Sequence, residues 1–252
     1  FPAIKQTFNL VPSLLEQLTD YTENGATDRY LELTIKRPAD MTETEKAFVI
    51  ENFFLANWEN MIKIFPRYYE LLVKRGFRFT KGDLKRIVRY FTDDEICDLQ
   101  TLFNLAWIDP MFRERDPKLR ELAEKGRDFT EEEKQLVIDK QLEILGRIIP
   151  EYKKLSDSGQ IELSVTPFYH PILPLVWDTN SAKVGMPDVV MPKKSFSYPE
   201  DSITQIRMAV EYFEKLFGCR PSGMWPSEGS VSEDVVNAIK NEGIRWIATD
   251  EE

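Results

Sequence analysis

Four short β-prone runs, spaced by amphipathic helical sequence, restrict the fold of this chain more than any other feature. They are Ile4–Leu10, Gly159–Thr166, Pro221–Trp225 and Ile244–Thr249. A helix opens at Pro12 after the first run, where proline suits a first helical turn. A second helix, over Ser202–Phe217, precedes Gly218, a natural C-terminal cap. A third covers Glu233–Lys240 and ends at Asn241 and Gly243. Strands alternating with helices require parallel pairing, in a sheet or a barrel, so the expected fold class is α/β.

Between the first two runs lies a helical block at about residues 40–155. It is too long for a simple crossover and reads as an inserted subdomain or a lid over a barrel mouth. Helical spacing runs from Thr42 to Glu70 through Phe48, Phe53, Phe54, Trp58 and Ile62, with Pro66 bending or dividing it. Further helices are expected over Thr80–Tyr90, from Thr92, and from Thr130 to Pro150. Thr42 with Glu45, Thr92 with Glu95 and Thr130 with Glu133 have the spacing of capping boxes. The aromatic stripe from Phe53 to Phe65 is expected to be core rather than a binding surface. The acidic triplets Asp93–Glu95 and Glu131–Glu133 suit helix starts rather than metal cradles.

Composition narrows function. The net charge of −10 disfavours nucleic acid, and no apolar run reaches membrane-spanning length. The opening residues, Phe1–Gln6, do not resemble a signal peptide. Cys97 and Cys219 lie far apart without metal-like spacing, which reads as two free thiols in a cytoplasmic protein. With His170 as the single histidine, a two-histidine zinc site cannot be built. A serine triad has no Gly-x-Ser-x-Gly elbow to use. Aspartate and glutamate chemistry remains, with no cofactor and no metal expected.

One carboxylate stands out. Glu228 occupies a turn between Gly223-Met224-Trp225-Pro226-Ser227 and Gly229-Ser230-Val231-Ser232, ahead of the helix that Ser230 or Ser232 can cap. A carboxylate beside an indole at a strand-to-helix turn is a place from which a sugar can be attacked. The same pattern also describes an acidic residue in a solvated loop.

Three segments together resemble glycoside hydrolase family 57. Gly159-Gln160-Ile161-Glu162-Leu163 is similar to the family's Gly-Gln-Leu-Glu strand and runs into Thr166-Pro167-Phe168-Tyr169-His170-Pro171. Met224-Trp225-Pro226-Ser227-Glu228 is similar to its Trp-x-Pro-Glu region, with Ser227 between Pro226 and Glu228. Gly243–Glu251 resembles the strand that follows, and Phe103–Pro110 resembles the family's helical region. The resemblance implies an incomplete (β/α)7 barrel. It implies action on α-linked glucans with retention, among activities that include α-amylase, amylopullulanase, branching enzyme, glucanotransferase and α-galactosidase.

Carried over, Glu228 is the nucleophile that forms a glycosyl-enzyme intermediate, resolved by water or by another sugar. Retention needs a second carboxyl roughly 5–5.5 Å away. In the family this is an aspartate in a later motif, which has no match up to Glu252, and the opening His-Gln-Pro motif is also absent. A fragment of one barrel domain, cut at both ends and inactive alone, is the expectation.

Candidate substrate-binding residues are His170, Trp225, Glu162, Trp107 and Asp250. Trp225 can stack on a sugar's C–H face or pack in the core. His170 can bind a hydroxyl or be satisfied by backbone. Glu162 can point into a barrel or form an outer salt bridge. Trp107, with Asp109, can reach a cleft or simply end a helix at Pro110. Asp250 ends a strand, where barrel enzymes place functional groups, or frays. The expected partner is an α-glucan polysaccharide or oligosaccharide. The rival reading is a non-catalytic carbohydrate-binding relative of the same fold.

Overall fold

The computed structural model describes residues 3–250 and divides into two compact units. The sheet unit comprises Phe1–Asn24 and Gly146–Glu252; the helical unit is Gly25–Leu145. Glu251, the end of the third family-like segment, lies outside the described residues, as do Phe1, Pro2 and Glu252.

In chain order, β1 (Gln6–Leu10) leads into α1 (Pro12–Glu23). The helical unit follows with α2 (Arg29–Ile35), α3 (Glu43–Asn52), α4 (Pro66–Arg75), α5 (Lys81–Val88), α6 (Asp93–Trp107), α7 (Pro110–Arg115), α8 (Pro117–Lys125) and α9 (Glu131–Gly146). The chain then returns through α10 (Ile148–Asp157), β2 (Ile161–Val165), α11 (Leu173–Trp177), α12 (Ala182–Gly185), α13 (Pro199–Phe217), β3 (Gly223–Met224), α14 (Glu233–Asn241) and β4 (Trp246–Ile247). Among the described residues no helix is long and apolar enough to cross a membrane.

The fold is α/β, and its sheet is parallel throughout in the order β1-β2-β3-β4. Each strand adds on the same side of its predecessor. That is the winding of a (β/α) barrel, whereas a doubly wound sheet reverses direction partway. Among the described residues the four strands form an open arc. Successive strand residues point to opposite faces, and the two faces differ sharply. Phe8, Leu10, Leu163, Val165, Met224 and Ile247 share an apolar cluster with helix residues such as Leu15, Val210 and Ile239. The other face carries Asn9 and Ser164, paired in register, with the Ser164 hydroxyl donating to Asn9 Oδ1 at 2.9 Å.

The helical unit has its own core, around Phe53, Tyr68, Leu72, Leu99 and Leu102. The expected capping boxes form at Thr42–Glu45, Thr92–Glu95 and Thr130–Glu133, and Thr80–Asp83 adds another. The unit starts at Gly25 because α2 contributes Leu33 to this core. It ends before residue 146 because Ile149, Tyr152 and Leu155 of α10 pack on the sheet unit's cluster instead. Both boundaries therefore differ from the 40–155 block read from sequence.

Of the two expected outcomes for the helical stretch over 42–70, bending or dividing, it is divided. A π-helical turn, Trp58–Ile62, separates α3 from α4, and Pro66 opens α4 at its first position rather than bending it. Likewise α9 stops at Gly146, and Pro150 sits in the first turn of α10. Phe53, Phe54 and Phe65 are buried as expected, whereas Trp58 is 38% exposed.

Candidate active site

At the carboxyl edge of the sheet lies an open hollow of about 430 Å³, lined by Asn9, Thr166, His170, Trp225, Glu228, Gly229 and Asp250. All seven belong to the sheet unit. They come from β1, from the segments that follow β2 and β3, and from the segment after β4. Its volume suits a small-molecule site.

Each wall has a local cause. Trp225 directly follows β3, and its N–H donates to Val165 O at 2.9 Å, which extends the strand ladder by one residue. Its ring is left 50% exposed. Pro226 then opens a 3-10 turn over Ser227–Gly229. Within that turn Glu228 adopts φ 55° and ψ 25°. Left-handed backbone is uncommon for a non-glycine residue, and such strain concentrates at functional sites. Gly229 follows at φ 66°, and a Cβ there would stand 3.2 Å from Asp250 Oδ2. The Thr249 hydroxyl donates to Gly229 O, tying the turn to the chain leaving β4. Ser232, not Ser230, caps α14 by accepting from Val235 N–H at 3.4 Å.

His170 closes the turn after β2, also left-handed at φ 57°, with its N–H donating to Pro167 O at 3.0 Å. Gln205 of α13 pins this turn twice. Its backbone oxygen accepts from Phe168 N–H at 3.2 Å, and its side-chain oxygen accepts from Tyr169 N–H at 2.8 Å. Phe168 is buried against Tyr212 beneath the turn, while Tyr169 and His170 stay exposed.

Four of the six residues singled out from sequence thus meet: Glu228, His170, Trp225 and Asp250. Glu162 does not join them. It lies toward the opposite end of β2, near Lys5, Gln6 and Gly159, where Oε1 accepts the Trp246 indole N–H at 2.9 Å. The indole crosses directly over Gly223, where any Cβ would fall about 2.0 Å from the ring. Glu162 therefore anchors a ring that packs flat on β3. Trp107 belongs to the helical unit, where it ends α6 with 57% exposure. Asp109 caps α7, accepting from Met111 N–H at 2.8 Å.

Sequence reasoning missed Asn9 and Thr166. The signal was available in the alternation of Phe8 and Leu10 with Thr7 and Asn9, which marks a polar face on β1. Donors around a carboxylate favour its ionised form, which makes the surroundings of Glu228 informative. Among the described residues its carboxylate makes no hydrogen bond or ion pair and faces the open hollow. The Ser227 hydroxyl beside it is 1% exposed and has no partner among the described residues. Those residues also contain no cluster of three or more His, Cys, Asp or Glu placed to hold a metal ion. Cys97 and Cys219 are free thiols, and burial pushes Cys97 up to about 12.

The chain is similar to known proteins. Alpha-amylase 1 of Dictyoglomus thermophilum is 30% identical over 106 residues, 40% of this chain and 12% of that protein. Among solved structures, an alpha-amylase from Thermotoga maritima matches at 15% identity with a TM-score of 0.38, over 98% of this chain and 39% of its own. A branching enzyme from Thermococcus kodakaraensis matches at 15% identity with a TM-score of 0.36, over 98% of this chain and 40% of its own. The chain therefore spans well under half the length of these relatives. The sequence profile of Glycosyl hydrolase family 57 matches residues 83–252, a span that holds the Gly159–Leu163 strand, the Glu228 turn and the segment that follows it. More than half of the chain lies within that match, and the chain belongs to glycosyl hydrolase family 57.

Proposed function

We propose that this chain carries the nucleophile of a retaining glycoside hydrolase or transglycosylase acting on α-linked glucans. The observation that supports it best is the convergence of Glu228, His170 and Trp225 on one hollow at the carboxyl edge of a parallel sheet. On this reading Glu228 attacks the anomeric carbon and forms a covalent glycosyl ester, which water or a sugar hydroxyl then opens. Trp225 offers its half-exposed ring to a sugar's C–H face. His170 and Asp250 bind hydroxyls.

The left-handed turn at Glu228 lifts the carboxylate off the strand line into the hollow, and Gly229 lets the chain pass Asp250 at close range. The acid/base carboxyl is proposed to come from polypeptide other than residues 1–252. These residues alone would then bind glucan without turning it over.

The test is Glu228→Gln in the polypeptide that carries the complete activity, assayed for reducing sugar released from soluble starch and for transfer between maltooligosaccharides. Glutamine matches the shape but cannot form the ester, so turnover is expected to fall at least about a thousandfold with glucan binding retained. Undiminished turnover removes Glu228 from the mechanism. A wild-type protein that binds glucan but never cleaves or transfers it supports the carbohydrate-binding alternative.

A further inference from the structure

A second hollow, of about 280 Å³, lies on the other side of the Phe168–Pro171 turn. Its lining includes Tyr169, Phe196, Asp201, Thr204 and Gln205. His170 lines the Glu228 hollow and Tyr169, the residue before it, lines this one, so one tight turn separates the two.

Two observations set this hollow apart from ordinary surface relief. The first is a pair of aromatic rings held out in water. Tyr169 is 60% exposed and Phe196 is 45% exposed. Phe196 is not a loose loop residue. Its N–H donates to the Thr179 hydroxyl at 2.8 Å, and its carbonyl accepts from both the N–H and the hydroxyl of Thr179. The flanking residues are tied too: the Ser197 hydroxyl donates to Trp177 O at 2.8 Å, and Tyr198 N–H donates to Val176 O at 2.9 Å. The backbone is thus fixed. Each ring is backed by a neighbour, Phe196 by Tyr198 at 4.6 Å and Tyr169 by Phe168 at 4.7 Å between centroids. Its other surface stays in solvent, an arrangement that can serve a ligand.

The second observation is the set of polar groups beside the rings. The Asp201 carboxylate and the Thr204 hydroxyl have no hydrogen-bond partner among the described residues. Gln205 uses its amide oxygen on Tyr169 N–H, and its NH2 has no partner among the described residues. An apolar ring surface with a few convergent donors and acceptors is the chemistry that recognises a sugar, whose C–H face and hydroxyls demand both. A net charge of −10 with an acidic group in the hollow favours a neutral ligand over an anionic one.

We infer that this hollow is a second glucose-binding subsite, taking a further unit of the same α-glucan chain whose reacting unit lies against Glu228. This rests on the reading of the Glu228 hollow as a glucan site. Phe196 and Tyr169 contact the ring face. Asp201 accepts from hydroxyls, and the Gln205 amide donates to them. The fixed geometry means little ordering is lost on binding, which favours affinity.

The experiment is calorimetric titration of the 252-residue chain with maltotriose and with maltoheptaose. The longer sugar is expected to bind at least about tenfold tighter, about 1.4 kcal/mol. In Phe196→Ala that ratio falls to about twofold or less with maltotriose affinity unchanged, whereas Phe196→Tyr keeps it. Asp201→Ala provides an independent check, weakening maltoheptaose alone. The anchors of residue 196 are backbone bonds, so Phe196→Ala is expected to keep its melting transition. Equal affinity at both lengths, or an unchanged ratio in Phe196→Ala, overturns the subsite while leaving the Glu228 reading intact. Failure of the chain to bind either sugar overturns the Glu228 reading and this one with it.

Discussion

At the scale of single residues, the turn at Glu228 combines three costs. Glu228 has a left-handed backbone, Ser227 beside it buries a hydroxyl with no partner among the described residues, and Gly229 has no room for a side chain. Asp128 and His170 share the positive φ, but both are residue types that tolerate it better than glutamate does. An unmet buried hydroxyl costs about 1–3 kcal/mol. Ser227→Ala is therefore expected to raise stability by about 1 kcal/mol, read as a higher denaturant midpoint at unchanged slope. A lower midpoint would mean that the hydroxyl has a partner after all, such as an ordered water. The sequence displayed the Trp225–Glu228 pair but not this strain, because the turn is packed against Thr249 and Asp250 of the segment after β4, a tertiary contact that local sequence does not reveal. The same limit explains Glu162. Alternation showed that it leaves the helix-packed face of β2, but the depth that gives it to Trp246 rather than to the hollow comes from register.

At the scale of elements, local signals were legible and compound ones were not. The capping boxes at Thr42, Thr92 and Thr130 follow from side chains three residues apart, so they survive any tertiary context. The pairs Asp109-Pro110 and Asp116-Pro117 carried an equally local message, each an N-cap followed by a proline at the first helical position. Pro110 does follow the end of α6, as the sequence suggests, but it also opens α7, which with α8 lies outside the helices that apolar spacing predicts.

The box on α3 has a measurable consequence. Glu45 is held down to about 2, first by the Lys36 ammonium and then by the Thr42 N–H and hydroxyl, from an ordinary value of 4.5. A folded value below the unfolded one means the stabilisation is complete above pH 4.5. It is lost as pH falls through the interval toward 2. Glu45→Gln is expected to lose stability at neutral pH and to show a flatter decline between pH 4.5 and 2. Parallel declines in the two proteins, followed by circular dichroism across that interval, would contradict the assignment.

At the scale of the whole molecule, two apolar cores share no residue. Leu99→Ala, in the helical core, and Val210→Ala, in the sheet core, are each expected to cost about 2–4 kcal/mol. Each should lower a different one of two calorimetric transitions. A single transition that moves equally with both variants would show one cooperative unit instead. The sheet core is also unusual in its order of assembly. Among the described residues β1 pairs with β2 alone, and Leu10 and Ile161 are separated by the entire helical unit. A ribosome adding about 5–20 residues each second needs on the order of ten to thirty seconds to make that interval. Through that time β1 lacks its β2 partner, and only α1, through Leu15 and Leu18, is at hand to cover Phe8 and Leu10. A holding chaperone that recognises unpaired strand edges would find its client in Gln6–Leu10, long before any sugar could be bound.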